Sequence, residues 1–138
     1  MAQEGTAKMY NSVKLLGNAQ DAGRPQLGCT QKCCEDARVN TQLSRMPVSL
    51  GLQGEKVGLV EATRCISDQM ALMNNSRISE IWLTHAHLGH IEGLGQFGRE
   101  SLNSKNIAIR CSDSVADFVR AHPIWQKLFE RNNLIFDT

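Results

Sequence analysis

The chain has 138 residues, 41% of them hydrophobic and 21% charged, with a formal net charge of +1, which suits one globular domain with a buried core. Basic residues are scattered singly, so nothing electrostatic calls for nucleic acid or an anionic membrane as a partner, and no apolar run approaches the ~18 residues that span a bilayer. Met1 to Met9, holding Gln3, Glu4 and Lys8, lacks a signal core, and five cysteines, an odd count, fit a reducing compartment, so the expected location is cytoplasmic.

In chain order, Val13-Lys14-Leu15-Leu16-Gly17 predicts a first strand, and the turn formers from Asn18 to Gln26 predict a surface loop. After a cysteine-rich loop, Val48 to Leu52 and Val57 to Ala62 flank Gln53-Gly54-Glu55-Lys56, a β-hairpin with a four-residue turn. The period then changes: Ile66, Met70 and Met73 fall on one helical face that ends near Asn74-Asn75. Ile81-Trp82-Leu83 reads as a buried strand, with Trp82 as a core anchor, and Ile91, Leu94, Gly98 and Leu102 suit one side of a helix. Ile107-Ala108-Ile109 is another strand. Ser112 or Asp113 would cap a helix carrying Val115, Phe118 and Val119. Pro123 opens a helix that buries Trp125, Leu128 and Phe129, and Leu134-Ile135-Phe136 begins a last strand. A hairpin followed by alternating helices and strands predicts an α/β (α+β) fold, a mixed β-sheet with flanking helices, with residues 1–138 forming one domain or half-domain. The stop on an apolar strand suggests that more of the fold belongs beyond it.

Chemistry concentrates in Thr84-His85-Ala86-His87-Leu88-Gly89-His90, which holds three of the four histidines. His85 and His87, two apart at a strand end, leave the backbone on the same side and can fill two corners of a zinc sphere; His90 can approach after a turn. Zinc suits imidazole, and an open coordination position lets it activate water. A merely histidine-rich surface loop is the bland alternative; the H-x-H-x-x-H spacing after an apolar strand and before Gly93-Leu94 favours a metal site.

The run from Thr84 to Leu94 resembles the T-H-x-H-x-D-H-x-x-G-L signature of the metallo-β-lactamase superfamily. Leu16-Gly17 with its following loop, and Gly28-Cys29 with Cys33, Cys34, Ala37 and Arg38, are similar to the branch that includes pyrroloquinoline-quinone biosynthesis protein B. Leu59-Val60-Glu61-Ala62-Thr63 falls where members have a strand ending in an acidic residue. The resemblance implies the N-terminal half of an αββα sandwich, a zinc cofactor, His85 and His87 as ligands of a first site and His90 as a ligand of a second. It also marks departures. Gly89 stands where the family has an aspartate ligand, and the later ligands of the family, a histidine, a bridging aspartate and a last histidine, have no counterpart; His122, before Pro123, reads as a helix-end residue. Half a sandwich would expose one apolar sheet face, so a second copy, another polypeptide or a remainder of the protein absent from this sequence is expected to cover it.

Cys29, Cys33 and Cys34 form C-x3-C-C, a candidate structural metal site that Cys65 or an outside ligand would have to complete; three reduced, partly buried thiols are the alternative. Cys111 reads as core. Among the remaining acidic residues, Glu61, Asp68, Glu92 and Asp113, Glu92 is near enough to His90 in sequence to reach a metal, yet a solvent-facing negative charge at a helix start explains it better. Two functions remain open: a zinc-dependent hydrolase acting on a small-molecule ester, amide or phosphoester, with its site incomplete in this chain, or a catalytically inactive half-domain acting as a homodimer or interaction module.

Overall fold

Period-2 patterning organises most of the sheet in the computed structural model, which describes residues 9–137; the stretch read for a signal core lies, but for Met9, outside them. Strand β1 (Tyr10–Gly17) pairs antiparallel with β2 (Ser49–Gly54), and β2 with β3 (Val57–Val60). From β3 onward the pairing is parallel, through β4 (Glu80–Trp82), β5 (Ile107–Arg110) and β6 (Leu134–Phe136). The sheet is thus mixed, six-stranded and ordered β1 to β6. The helices are α1 (Lys32–Val39), α2 (Ile66–Ala71), α3 (Leu88–Ile91), α4 (Asp113–Arg120) and α5 (Pro123–Glu130). This is the α+β arrangement expected.

Strand parity decides what is buried. Leu59, Ile81, Ile107, Ile109 and Leu134 point to one face and pack with Ile66, Met73, Ile91, Leu94, Val119, Trp125 and Leu128 into a single core. Ser112 caps α4 by accepting from the Val115 N–H, and Pro123 occupies the first turn of α5.

Four details differ from the reading of the sequence. The β2–β3 connection is the two-residue Glu55-Lys56, because Gln53 and Gly54 continue the ladder. Helix α3 gives way at Glu92–Phe97 to a tight 3-10 helix, and Leu102 is exposed: the glycines at 93, 95 and 98 weaken a longer α-helix. Cys33 and Cys34 are in the first turn of α1 and not in a loop. Trp82 is 40% exposed, since Ile81 takes the core side of a three-residue strand and Trp82 must face the other way.

No helix among the described residues packs over that other face in the way the core helices cover the first. It carries Val13, Leu15, Leu50, Leu52, Val60 and Trp82, with Val13 64% and Leu15 57% exposed. Across it runs a polar chain. The Tyr10 hydroxyl donates to Glu80, Arg110 meets Glu80 at 2.7 Å and Asp137 at 2.8 Å, and the guanidinium stacks over Trp82 at 5.3 Å. Burial pushes the Glu80 carboxyl up, but the bonds from Tyr10 and Arg110 outweigh it and hold the group below its ordinary range. A depressed carboxyl stabilises the fold above its unfolded pKa of about 4.3 and loses that contribution as pH falls through the folded value. Arg110→Met should therefore cost about 2 kcal/mol at neutral pH, discounted for the partial exposure of the arginine, and clearly less near pH 3. Urea unfolding of both chains at the two pH values checks this; an equal penalty at both would remove the ion pair as its cause.

Candidate metal centre

Strands β1, β3 and β4 run in the same direction, so their C-terminal ends open on one edge of the sheet, where ligands bind in open α/β sheets. Three segments converge there: the loop after β1 bearing Asp21, Glu61 after β3, and the histidine run after β4.

Glu61 adopts φ 67°, the left-handed region that a non-glycine residue enters at a cost of about 1 kcal/mol. Its N–H donates to the Trp82 carbonyl at 2.9 Å, and the next N–H, of Ala62, donates to the His90 carbonyl at 2.8 Å. This turn aims the Glu61 carboxylate back into the molecule, where it is 4% exposed. Oε1 accepts the Thr84 N–H at 3.1 Å, whereas Oε2 is buried without a hydrogen-bond partner.

His90 lies in α3 and is 8% exposed. Nδ1 is 3.2 Å from Glu61 Oε2, yet the pair lacks hydrogen-bond geometry, and Nδ1 too is buried without a partner. Nε2 meets Asp21 Oδ1 at 2.9 Å. His85 is half-buried; the Thr84 hydroxyl meets its Nδ1 at 2.8 Å, which leaves Nε2 as its available nitrogen. The His85 ring centroid is 4.1 Å from that of His90 and 4.5 Å from that of His87, which it meets edge-on.

Glu61, His85 and His90 each offer a ligand atom within 4.8 Å of the others, the only such trio among the described residues. His87, the residue preceding α3, is exposed at the rim beside His85 and outside this trio. The set of two imidazoles and a carboxylate is a donor set that zinc takes in sites keeping an open position. Two donors each ~2.1 Å from one tetrahedral ion stand ~3.4 Å apart, near the 3.2 Å separation of Oε2 and Nδ1. Two buried polar atoms so placed, with no bond to each other, fit a shared cation.

Glycines make the convergence sterically feasible. A Cβ at Gly93 would run into the backbone of Ala62 and Thr63, across which Gly93 N–H donates to the Ala62 carbonyl at 2.9 Å. A Cβ at Gly89 would collide with the side chain of Asp21.

Of the residues singled out in the sequence, His85 and His90 come together and His87 flanks them. In the sequence Glu61 is marked only as an acidic strand end, at the position where the resembled family is acidic. Asp21 looked like a turn former, and no sequence spacing ties it to a residue 69 positions away. Glu92 is half-buried and joins no ligand group, and His122 precedes α5 with its ring on the Phe118 carbonyl at 2.7 Å.

At the cysteines, Cys34 is buried and its sulfur accepts the Gln26 N–H at 3.3 Å. That N–H holds the thiol below its ordinary range against the opposing effect of burial, with help from the Cys29 and Cys33 thiols and from Arg38. Cys29 is half-buried, Cys33 is exposed, and Cys65 precedes α2. Burial raises the Cys111 thiol, in keeping with its place against the core.

No family profile matches the sequence, and no curated protein aligns with it. Solved structures are similar to it. Zinc-bound PqqB from Methylobacterium extorquens superposes with a TM-score of 0.79 at 19% identity, over 91% of this chain and 45% of that one. A diphosphatase of the PhnP family gives 0.67 at 18% identity, over 91% and 48%. YhfI from Bacillus subtilis, a metallo-β-lactamase fold protein, gives 0.58 at 16% identity, over 91% and 44%. All three have the metallo-β-lactamase fold, and this chain has the fold of about half of one, spanning under half the length of each.

Proposed function

We propose that this half-fold holds a zinc ion through Glu61, His85 and His90, with His87 as a further ligand at the rim, and serves the hydrolysis of a small-molecule ester, amide or phosphoester. The observation that carries the reading is the buried pair Glu61 Oε2 and His90 Nδ1, 3.2 Å apart and without hydrogen-bond partners. Leaving two such atoms unsatisfied costs about 1–3 kcal/mol each, which a shared cation offsets. The zinc-bound PqqB and the PhnP-family diphosphatase, similar in fold, support the choice of metal and of hydrolysis. Bound zinc would polarise water and the carbonyl or phosphoryl oxygen under attack. The chain's own residues do the positioning. Thr84 fixes the ring of His85, the left-handed turn at Glu61 aims its carboxylate, and the exposed His87 lies on the side open to a substrate.

Titration with zinc, followed by metal analysis after desalting, tests this. About one zinc per chain is expected, lost in a His85→Ala/His87→Ala double variant and retained when Cys29, Cys33 and Cys34 are replaced by serine. Zinc that follows the cysteines instead would assign the metal to a structural site there and sink the reading. A second reading rests on the helix-free sheet face: an inactive half-domain that pairs through Val13, Leu15 and Trp82, as a homodimer or with another polypeptide. A stable dimer without zinc in sedimentation and metal analysis would favour it.

A further inference from the structure

The H-x-H-x-x-H run lacks an acidic residue of its own at position 89, and the fold fills the space. Gly89 is buried, and a Cβ built on it would overlap Asp21 Cβ, with the Asp21 carboxyl carbon at 2.7 Å and Oδ2 at 2.9 Å. The Asp21 side chain therefore occupies the volume into which a side chain at 89 would grow. Its Oδ1 stands 2.9 Å from His90 Nε2.

We infer that Asp21, delivered by the loop after β1, supplies the carboxylate that Gly89 cannot, and that Gly89 is glycine because Asp21 is there. The inference rests on the zinc reading above and names a positioning residue within it. By accepting from Nε2–H, Asp21 fixes the ring of His90 so that Nδ1 faces Glu61 Oε2, the arrangement in which a metal-binding histidine gives its second nitrogen to a carboxylate. Position 89 and residue 21 are then one functional unit drawn from two distant parts of the chain, and only one of the two can carry the acid.

Relocating the carboxylate tests this. Asp21→Gly should weaken zinc binding by roughly 10- to 100-fold, and Asp21→Asn, which keeps the size, by a similar factor. Gly89→Asp alone should melt well below the parent chain, because two side chains then claim one space. In the Asp21→Gly/Gly89→Asp double variant the clash is gone and the acid is restored: its melting temperature should rise above that of Gly89→Asp, and its zinc affinity should return to within a few-fold of the parent. A double variant that binds zinc no better than Asp21→Gly overturns the exchange, as does an Asp21→Asn chain that binds as tightly as the parent. If the parent chain itself binds no zinc, the reading of the metal centre fails and this inference with it; if only the Asp21 variants behave like the parent, the metal centre stands and the inference alone fails.

Discussion

Replacing His90 with alanine is expected to abolish zinc binding and to destabilise the chain even without metal. The ring is 8% exposed and stands between two carboxylates, Glu61 at 3.2 Å and Asp21 at 2.9 Å. Its removal leaves the buried Glu61 oxygen facing a void and takes one donor from the only ligand trio among the described residues. The truncation should cost about 3 kcal/mol, the sum of a cavity and the lost bond to Asp21. Zinc affinity should fall by more than ~100-fold, beyond what the loss of an outer hydrogen-bonding partner produces. His122→Ala is the control, because that ring bonds the Phe118 carbonyl of α4, lies outside the ligand trio and should leave zinc affinity unchanged. Calorimetric zinc titration with urea unfolding of the apo chain measures both effects. A His90→Ala chain that takes up zinc within a few-fold of the parent would show that the metal, if any, is held elsewhere.

Gly93→Ala is expected to be nearly as damaging, although it touches no ligand. The added methyl would meet the carbonyl carbon and oxygen of Ala62, both at 2.9 Å, and the Thr63 carbonyl, all backbone atoms that cannot rotate away. Relief requires the segment from α3 into the 3-10 helix to move off the turn at residues 61–63. That breaks the two bonds joining them, Ala62 N–H to His90 at 2.8 Å and Gly93 N–H to Ala62 at 2.9 Å. Overpacking of this kind costs about 3 kcal/mol, which lowers the melting temperature of a chain this size by roughly 10 °C. Glu61 and His90 sit on the two sides of that seam, so zinc affinity should fall as well. Gly95→Ala separates sterics from helix propensity: nothing lies within 4 Å of a Cβ there, and the change should be neutral or slightly stabilising. Equal melting temperatures for the two alanine variants would remove close approach as the role of Gly93.

Local rules carried much of the fold into the sequence. Ile81, Ile107, Ile109 and Leu134 announced strands by their apolar patterning, Ser112 and Pro123 announced helix starts, and the H-x-H-x-x-H spacing after a strand marked a candidate site. These signals depend on neighbours a few residues apart, so the sequence alone shows where the elements lie and which segment holds the candidate ligands. What it could not determine were the meetings across the sheet edge. Glu61 enters the site because a left-handed residue reverses its backbone, and Asp21 because β1 and β3 share a direction that brings their loops to the same end. Trp82 looked like core until a three-residue strand placed Ile81 there instead. Which atoms share a space 69 positions apart, as Asp21 and His90 do, is a property of packing in three dimensions that no local pattern encodes.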